Sequence, residues 1–501
     1  MNNTFNIENM ELDDMHIMDL QHAMETGQIT SRQLVFYYLS RIAMLDQDGP
    51  YINAVMEINP DAIFIAEALD VERKQKGSRG MLHGIPILVK DNIETGDKMR
   101  TTAGALALEH NVATKDAFLI KLLREAGAVI LGKTNMTELA NGVSSSMWAG
   151  YSSNGGQVAH PYGDFFAGGS STGSAAAVAM NFAAAAIGTE TSASILSPAT
   201  QMSIVGLKPT VGLISRSGII PFSYSQDTAG PMAKTVSDAA ILLDVLVGRD
   251  EDDPSTLRNE NDFSEQKYTS FLDESGLYGA RIGVFSEVPD DVLNSGEYDE
   301  SLFKQVISVL TQAGAEVVEP IDIPAFHGPW SWNKVNSEFK HGMDNYLKSS
   351  SFQTGIHSLS DLIQWNEDHA EEALKYGQDL LIYRDSLKNP LKNKDYILES
   401  ITDLYRSQDQ GIDYAINLYQ LDAIMFPSYI GADICARAGY PSIAIPSGYM
   451  DNGRPFGITF AGKAFSESTL IRIGYAFEQR TKHRKKPNGY NKLILQTDRC
   501  T

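Results

Sequence analysis

The apolar positions along the chain fall into two rhythms. Near the start, Thr30 and Gln33 frame a capping box. Leu34, Tyr38, Ile42 and Leu45 then follow at the spacing of one helix face. Residues 11–75 are read as helices throughout. Over residues 80–260 short apolar runs alternate with helical patterns. Residues 85–89 are strand-like and end at Lys90, 117–126 are helical, and 127–132 form a buried strand. Residues 174–182 are an alanine-rich helix, and 184–188 another short strand. The polar stretch 250–275 reads as a loop, followed by a strand at 279–285, a helix at 300–313 and a strand at 316–319. Residues 330–420 are mainly helical and charged, and carry Trp330, Trp332 and Trp365. They are read as a helical insertion over one side of a sheet. Residues 421–479 return to strands at 423–426, 442–446 and 456–461, then to a helix from Glu467. The basic tail 482–487 is read as solvated. This strand–helix alternation predicts an α/β fold with a sheet covered by helices on both faces.

Composition narrows the class. The chain has 501 residues, more than one compact core usually holds. The reading adopted is a single domain over residues 1–501 with an insertion, rather than two domains. Hydrophobic residues make up 43% and charged residues 21%, the proportions of an ordinary soluble protein. A net charge of −22 repels phosphate backbones and anionic membranes, so no nucleic acid and no membrane is expected as partner. Two cysteines, Cys435 and Cys500, make neither a disulfide framework nor a CxxC site. Ten histidines show no HExxH spacing. No metal and no cofactor is expected. The first residues have no basic start and no apolar run, and nowhere does an apolar run reach the roughly 18 residues of a membrane span. The expectation is a cytoplasmic enzyme.

The candidate chemistry lies in two serine-bearing runs of small residues and one upstream lysine. Ser170 sits in Ala167-Gly168-Gly169-Ser170-Ser171-Thr172-Gly173-Ser174, and Ser194 in Gly188-Thr189-Glu190-Thr191-Ser192-Ala193-Ser194-Ile195. Lys90 ends Gly84-Ile85-Pro86-Ile87-Leu88-Val89 and precedes Asp91-Asn92. A nucleophilic serine needs a base, and a lysine serves only when burial or a neighbouring charge lowers its pKa. Two other readings stay open. Gly169-Ser170-Ser171-Thr172-Gly173 formally matches the GxSxG elbow, with Ser171 attacking and a later aspartate and histidine completing a triad. The later histidines, His327, His341, His357, His369 and His483, lie in the insertion or the tail. Either run alone also reads as a tight glycine turn beside a helix.

These segments resemble the amidase signature family over nearly the full chain. The likeness runs through residues 82–93, 127–135, 168–194, 205–213 and 227–231, and through Ala438-Gly439-Tyr440-Pro441-Ser442. Within the family the chain is most similar to the bacterial branch that removes the C-terminal carboxamide of peptides. That likeness rests on residues 55–62, Gly155-Gly156-Gln157, Gly188-Thr189-Glu190-Thr191, Ile219-Ile220-Pro221 and Glu478-Gln479-Arg480-Thr481. The resemblance implies a large central mixed β-sheet and a Ser–cis-Ser–Lys triad. Ser194 is then the nucleophile, Ser170 on a cis peptide is the bridge, and Lys90 is the neutral base. It also implies oxyanion donors among Thr191, Ser192, Ala193 and Ser194, and an acyl pocket near Asn141 and Gly142. Asp91 and Asn92 are candidates to orient the lysine. Glu190 and Asp227 read as structural hydrogen-bond partners, and the tryptophans as packing or a peptide-accepting mouth.

The chain departs from the family before the nucleophile. Where the family commonly carries Gly-Gly, or Asp-Gly in that branch, this chain has Ser192-Ala193, and Leu196 stands where many relatives carry arginine. If Ala193 takes a positive φ, its methyl group costs roughly 1 kcal/mol. The expected function is hydrolysis of small or peptide carboxamides, releasing ammonia. The alternatives are an amidotransferase component that amidates misacylated tRNA, which needs an ammonia-donating and tRNA-holding partner, and a non-catalytic binding relative.

Overall fold

The computed structural model of the chain describes residues 12, 14–258, 263–349 and 355–488. The extreme N-terminal residues and Cys500 lie outside them. Thirteen strands occur among the described residues: β1 (Val55–Ile58), β2 (Pro86–Lys90), β3 (Val129–Thr134), β4 (Tyr151–Ser152), β5 (Gly156–Gln157), β6 (Ala185–Glu190), β7 (Val205–Lys208), β8 (Thr228–Ala233), β9 (Arg281–Val284), β10 (Glu316–Val318), β11 (Ala423–Pro427), β12 (Ser442–Tyr449) and β13 (Pro455–Ala461). Eleven form one sheet in the order β1-β3-β2-β6-β8-β7-β12-β13-β11-β9-β10, and β4 pairs with β5 apart from it.

The sheet is mixed. β2 lies between β3 and β6 and is parallel to both. β8 pairs with β6 and β7, β12 with β7 and β13, and β11 with β13, all antiparallel. Every residue of β2, β3 and β6 is buried, so the sheet is covered on both faces at its centre. The apolar stretches of these strands, 86–89, 129–131 and 185–187, are unbroken because neither face meets water, and each strand ends in a polar residue. Lys90 and Glu190 end adjacent parallel strands on the same edge of the sheet. In open α/β sheets that edge is where sites form.

The helix Thr172–Ala179 lies between β5 and β6 in the chain and is buried along its whole length. Its alanines and Gly173 let it lie unusually close to the strands. A Cβ on Gly173 would stand 2.3 Å from the Asn135 carbonyl oxygen and 2.6 Å from that of Ala54. That approach seats Ser170 and Ser171, just ahead of the helix, against the end of β2.

Several expectations need correction. Residues 11–75 are not all helical: the helices Ile17–Glu25, Ser31–Arg41 and Ala62–Lys76 flank β1, which pairs antiparallel with β3 at the sheet edge. The capping box at Thr30 forms as read, with Thr30 accepting from the Gln33 N–H. The sequence pattern did not mark β7, β8 and the small β4–β5 pair, nor the helices Leu196–Gln201 and Val236–Leu246. The helices Asn333–Ser349 and Leu359–Asp368 do not lie on the sheet. Val335, Phe339, Met343, Leu359 and Leu362 share a hydrophobic cluster with Leu108, Leu139, Val143 and Phe222, so these helices cover the loops that leave it. The tail is docked rather than freely solvated: the Tyr162 hydroxyl donates to the Lys485 carbonyl at 2.6 Å, and Arg484 lies 3.5 Å from Asp14. Among the described residues no helix is long and apolar enough to cross a membrane.

Gly173→Ala tests the helix seat. Both nearest atoms are backbone, so the added methyl cannot be accommodated by a rotamer change. The expected result is a stability loss of about 2 kcal/mol or more in urea unfolding.

Candidate active site

Lys90 is fully buried at the end of β2. Its amine lies 2.8 Å from Ser170 Oγ, 2.9 Å from Ser171 Oγ, 2.9 Å from Thr189 Oγ1 and 3.2 Å from the Thr189 carbonyl oxygen. Among the described residues no carboxylate touches it. Burial therefore pushes its pKa down to about 7, with the more distant charges of Glu190 and Asp227 pulling the other way. The Gly169–Ser170 peptide is cis.

Proton counting orders this cluster. The Ser171 hydroxyl donates to the Thr189 carbonyl at 2.9 Å, while the Thr189 N–H donates back to Ser171 Oγ at 3.2 Å. With its one proton committed, Ser171 can only accept from the lysine. Asn92 Nδ2 donates to Thr189 Oγ1 at 3.0 Å. A neutral amine has two N–H bonds and one lone pair. The protonated amine donates to Ser170, Ser171 and Thr189; in the neutral form Ser171 and Thr189 can accept its two N–H bonds, and the lone pair is then free to face the Ser170 hydroxyl.

Ser194 approaches from the second run. Its carbonyl accepts from the Ser171 N–H at 3.1 Å, which ties the two serine segments together. Its side chain is nearly buried, whereas Thr191, Ser192 and Ala193 are half-buried. Glu190 Oε2 accepts from the N–H groups of Ile195 at 2.6 Å and Leu196 at 3.0 Å, fixing the turn from below. Burial raises the Glu190 pKa against the opposing charge of Lys208. The Thr191 hydroxyl donates to Asp227 Oδ1 at 2.6 Å, and the N–H groups of Phe222 and Ser223 each donate to Oδ2 at 2.8 Å. Burial nonetheless pushes Asp227 up to about 6. Ser192 Oγ donates to Asp433 Oδ1 at 3.3 Å.

Ala193 has φ +63°, the left-handed region. The turn before Ser194 thus demands the conformation in which a side chain is strained.

The other predicted residues lie further out. Asp91 does not touch the lysine. It accepts from the N–H groups of Thr102 at 3.1 Å and Gly104 at 3.0 Å and from the Thr102 hydroxyl, organising the neighbouring loop. Asn92 does reach the cluster, through Thr189. Asn141 is exposed, with a left-handed backbone. Gly142 is buried, its carbonyl accepting from Arg384, and a Cβ there would lie 2.9 Å from Phe339. Two narrow cavities flank Asn92, and Ala140 rather than Asn141 or Gly142 lines them. Trp330 and Trp332 stack on the Arg437 guanidinium, at 4.8 and 5.3 Å, while Trp365 packs on His369 at 3.9 Å. The elbow reading finds no support: among the described residues Ser171 Oγ bonds to Lys90 and Thr189 and to no histidine. Sequence reasoning overlooked Thr189 and Asp433. Thr189 had a signal, its place in the Gly188–Thr191 segment, but nothing local marked Asp433.

The buried lysine and its ring of hydroxyls thus sit at the edge of the mixed sheet, where the strand ends meet the two serine runs. The chain belongs to the amidase family, whose sequence profile matches residues 33–471. A probable amidase of Arabidopsis thaliana is 39% identical over 498 residues, 97% of this chain and 93% of its own. The native peptide amidase from Stenotrophomonas maltophilia is 41% identical with a TM-score of 0.89, covering 96% of this chain and 100% of that one. A glutamyl-tRNA(Gln) amidotransferase chain of Thermoanaerobacter pseudethanolicus is more distant, 31% identical over 95% of this chain and 99% of its own. The amidase reading therefore stands ahead of the amidotransferase one.

Ala193→Gly tests the strained turn. Removing the methyl at positive φ is expected to raise stability by about 1 kcal/mol in urea unfolding. A loss of stability would mean the methyl contributes packing that outweighs its strain.

Proposed function

We propose that this chain hydrolyses the terminal carboxamide of peptides and related small amides, releasing ammonia and a carboxylate. The observation that carries the reading is the buried lysine amine: burial lowers its pKa to about 7, and it lies 2.8 Å from the hydroxyl of Ser170, which follows a cis peptide. Peptide amides are favoured over other amides by the similarity to the Stenotrophomonas peptide amidase.

In this mechanism Ser170 gives its proton to Lys90 while taking the one on Ser194 Oγ. The freed oxygen attacks the carboxamide carbon, and the carbonyl π electrons move onto oxygen. Backbone N–H groups of Thr191, Ser192 and Ser194 supply donors to that oxyanion, an effect of about 3 kcal/mol per donor; the Ala193 N–H, also expected among them, is instead engaged by the Glu190 carboxylate. The relay then returns a proton to the nitrogen, the C–N bond breaks and ammonia leaves. Water attacks the resulting ester on Ser194, losing its proton to the same relay. The carboxylate departs and Ser194 regains its hydrogen. Thr189 and Asn92 act on this cycle by holding the lysine's orientation. Of the two residues assigned to the acyl side, Asn141 is the accessible one, while Gly142 acts through the packing of its loop.

Ammonia release by the purified chain from an amidated peptide is the direct test. Ser194→Ala and Lys90→Ala are each expected to lower kcat/KM at least a thousandfold, while Ser171→Ala keeps a measurable fraction. Complete loss at Ser171 with little effect at Lys90 would contradict the relay.

The pH profile gives a separate check. The folded lysine pKa lies below that of a free lysine, so the active neutral form grows as pH rises. The expected kcat/KM climbs through an apparent pKa near 7. A profile that climbs only near about 10.4 would contradict a neutral resting lysine.

A further inference from the structure

The turn that precedes Ser194 meets a carboxylate from a distant part of the chain. Asp433, in the helix Ala432–Ala438, accepts from Ser192 Oγ at 3.3 Å through Oδ1. Its other oxygen, Oδ2, accepts from Arg437 Nε at 2.9 Å. Arg437 cannot move to follow it: its side chain is completely buried, its Nη1 donates to Asp403 Oδ2 at 2.9 Å and the Ser331 carbonyl at 3.0 Å, and two indoles stack on it. Asp403 is itself paired with Lys334 at 3.1 Å. One oxygen of Asp433 is thus clamped by a rigid, charge-balanced framework. The other faces the turn, with the side chain 38% exposed.

The Asp433 carboxylate is thus anchored yet partly open to solvent. Ser192 supplies it with one weak hydrogen bond, which leaves Oδ1 with acceptor capacity. Ser192 and Ser194 are two residues apart, so their Cα atoms are within about 7 Å. Asp433 therefore stands beside the turn that presents Ser194, on the side marked by the Ser192 hydroxyl. In peptide amides and amino-acid amides, the α-carbon next to the scissile carbonyl bears a nitrogen with at least one N–H.

On the strength of the hydrolytic reading above, we propose that Asp433 is a specificity-determining residue. Its Oδ1 accepts a hydrogen bond from the nitrogen α to the scissile carbonyl, selecting α-amino amides and peptide amides over plain alkyl amides. The Arg437 framework is what holds that oxygen in place.

The test measures ammonia release from three amides of similar bulk: leucinamide, N-acetyl-leucinamide and 4-methylpentanamide, which lacks the α-nitrogen. A hydrogen bond to a charged acceptor predicts that the wild-type kcat/KM for leucinamide exceeds that for 4-methylpentanamide by roughly ten- to hundredfold. Asp433→Asn keeps an oxygen for Arg437 and is expected to shrink that ratio about tenfold. N-acetyl-leucinamide should show the same preference to a smaller degree, its N–H being uncharged. Equal kcat/KM on all three amides with the wild-type chain overturns the assignment without any variant. A wild-type preference that Asp433→Asn leaves unmoved overturns it too, whatever happens to the absolute rates. No ammonia from any amide with the wild-type chain overturns the hydrolytic reading itself.

Discussion

The site depends on taking one amine out of water without giving it a counter-charge. Lys90 is enclosed by strands whose every residue is buried, and its first neighbours are hydroxyl and carbonyl oxygens. Desolvation penalises the ammonium and favours the amine. A carboxylate in direct contact would reverse this, which is why the nearest acids matter by their distance. Glu190 occupies itself with the N–H groups of Ile195 and Leu196, and Asp227 with Thr191 and two backbone amides. Both acids hold the architecture without touching the lysine.

That isolation is a property of the fold. Parallel strands β2 and β6 bring Lys90 and Thr189 side by side, and the closely seated helix Thr172–Ala179 presses Ser170 and Ser171 onto them. Tight packing of small residues brings backbone near backbone, so side-chain hydroxyls replace the water that a looser junction would admit. The same economy explains the runs of glycine, alanine and serine around the site.

Much of this is legible in the sequence because it is local. Lys90 closes an apolar run, and Ser170 stands just ahead of an alanine-rich helix; both patterns announce strand end and helix start directly. What escapes is non-local or locally contradictory. β8, Thr228–Ala233, contains Gly230 and Pro231, residues that argue against a strand, yet both neighbours pair with it. β1 is four residues between two helices, too short for an alternation to stand out. Asp433 meets Ser192 across 241 positions, and no spacing rule reaches that far. The likeness to a known family supplied the roles proposed for the serines, which periodicity by itself left open between three readings.

Ala193 carries a consequence beyond its strain. Glycine in its place would relax the turn, but it would also open the mirror-image half of backbone space to it. The methyl group closes those alternatives, so the amide groups on either side wander less between turnovers. The turn gains stiffness even while the chain as a whole is less stable for it, and both effects are the work of a single carbon atom.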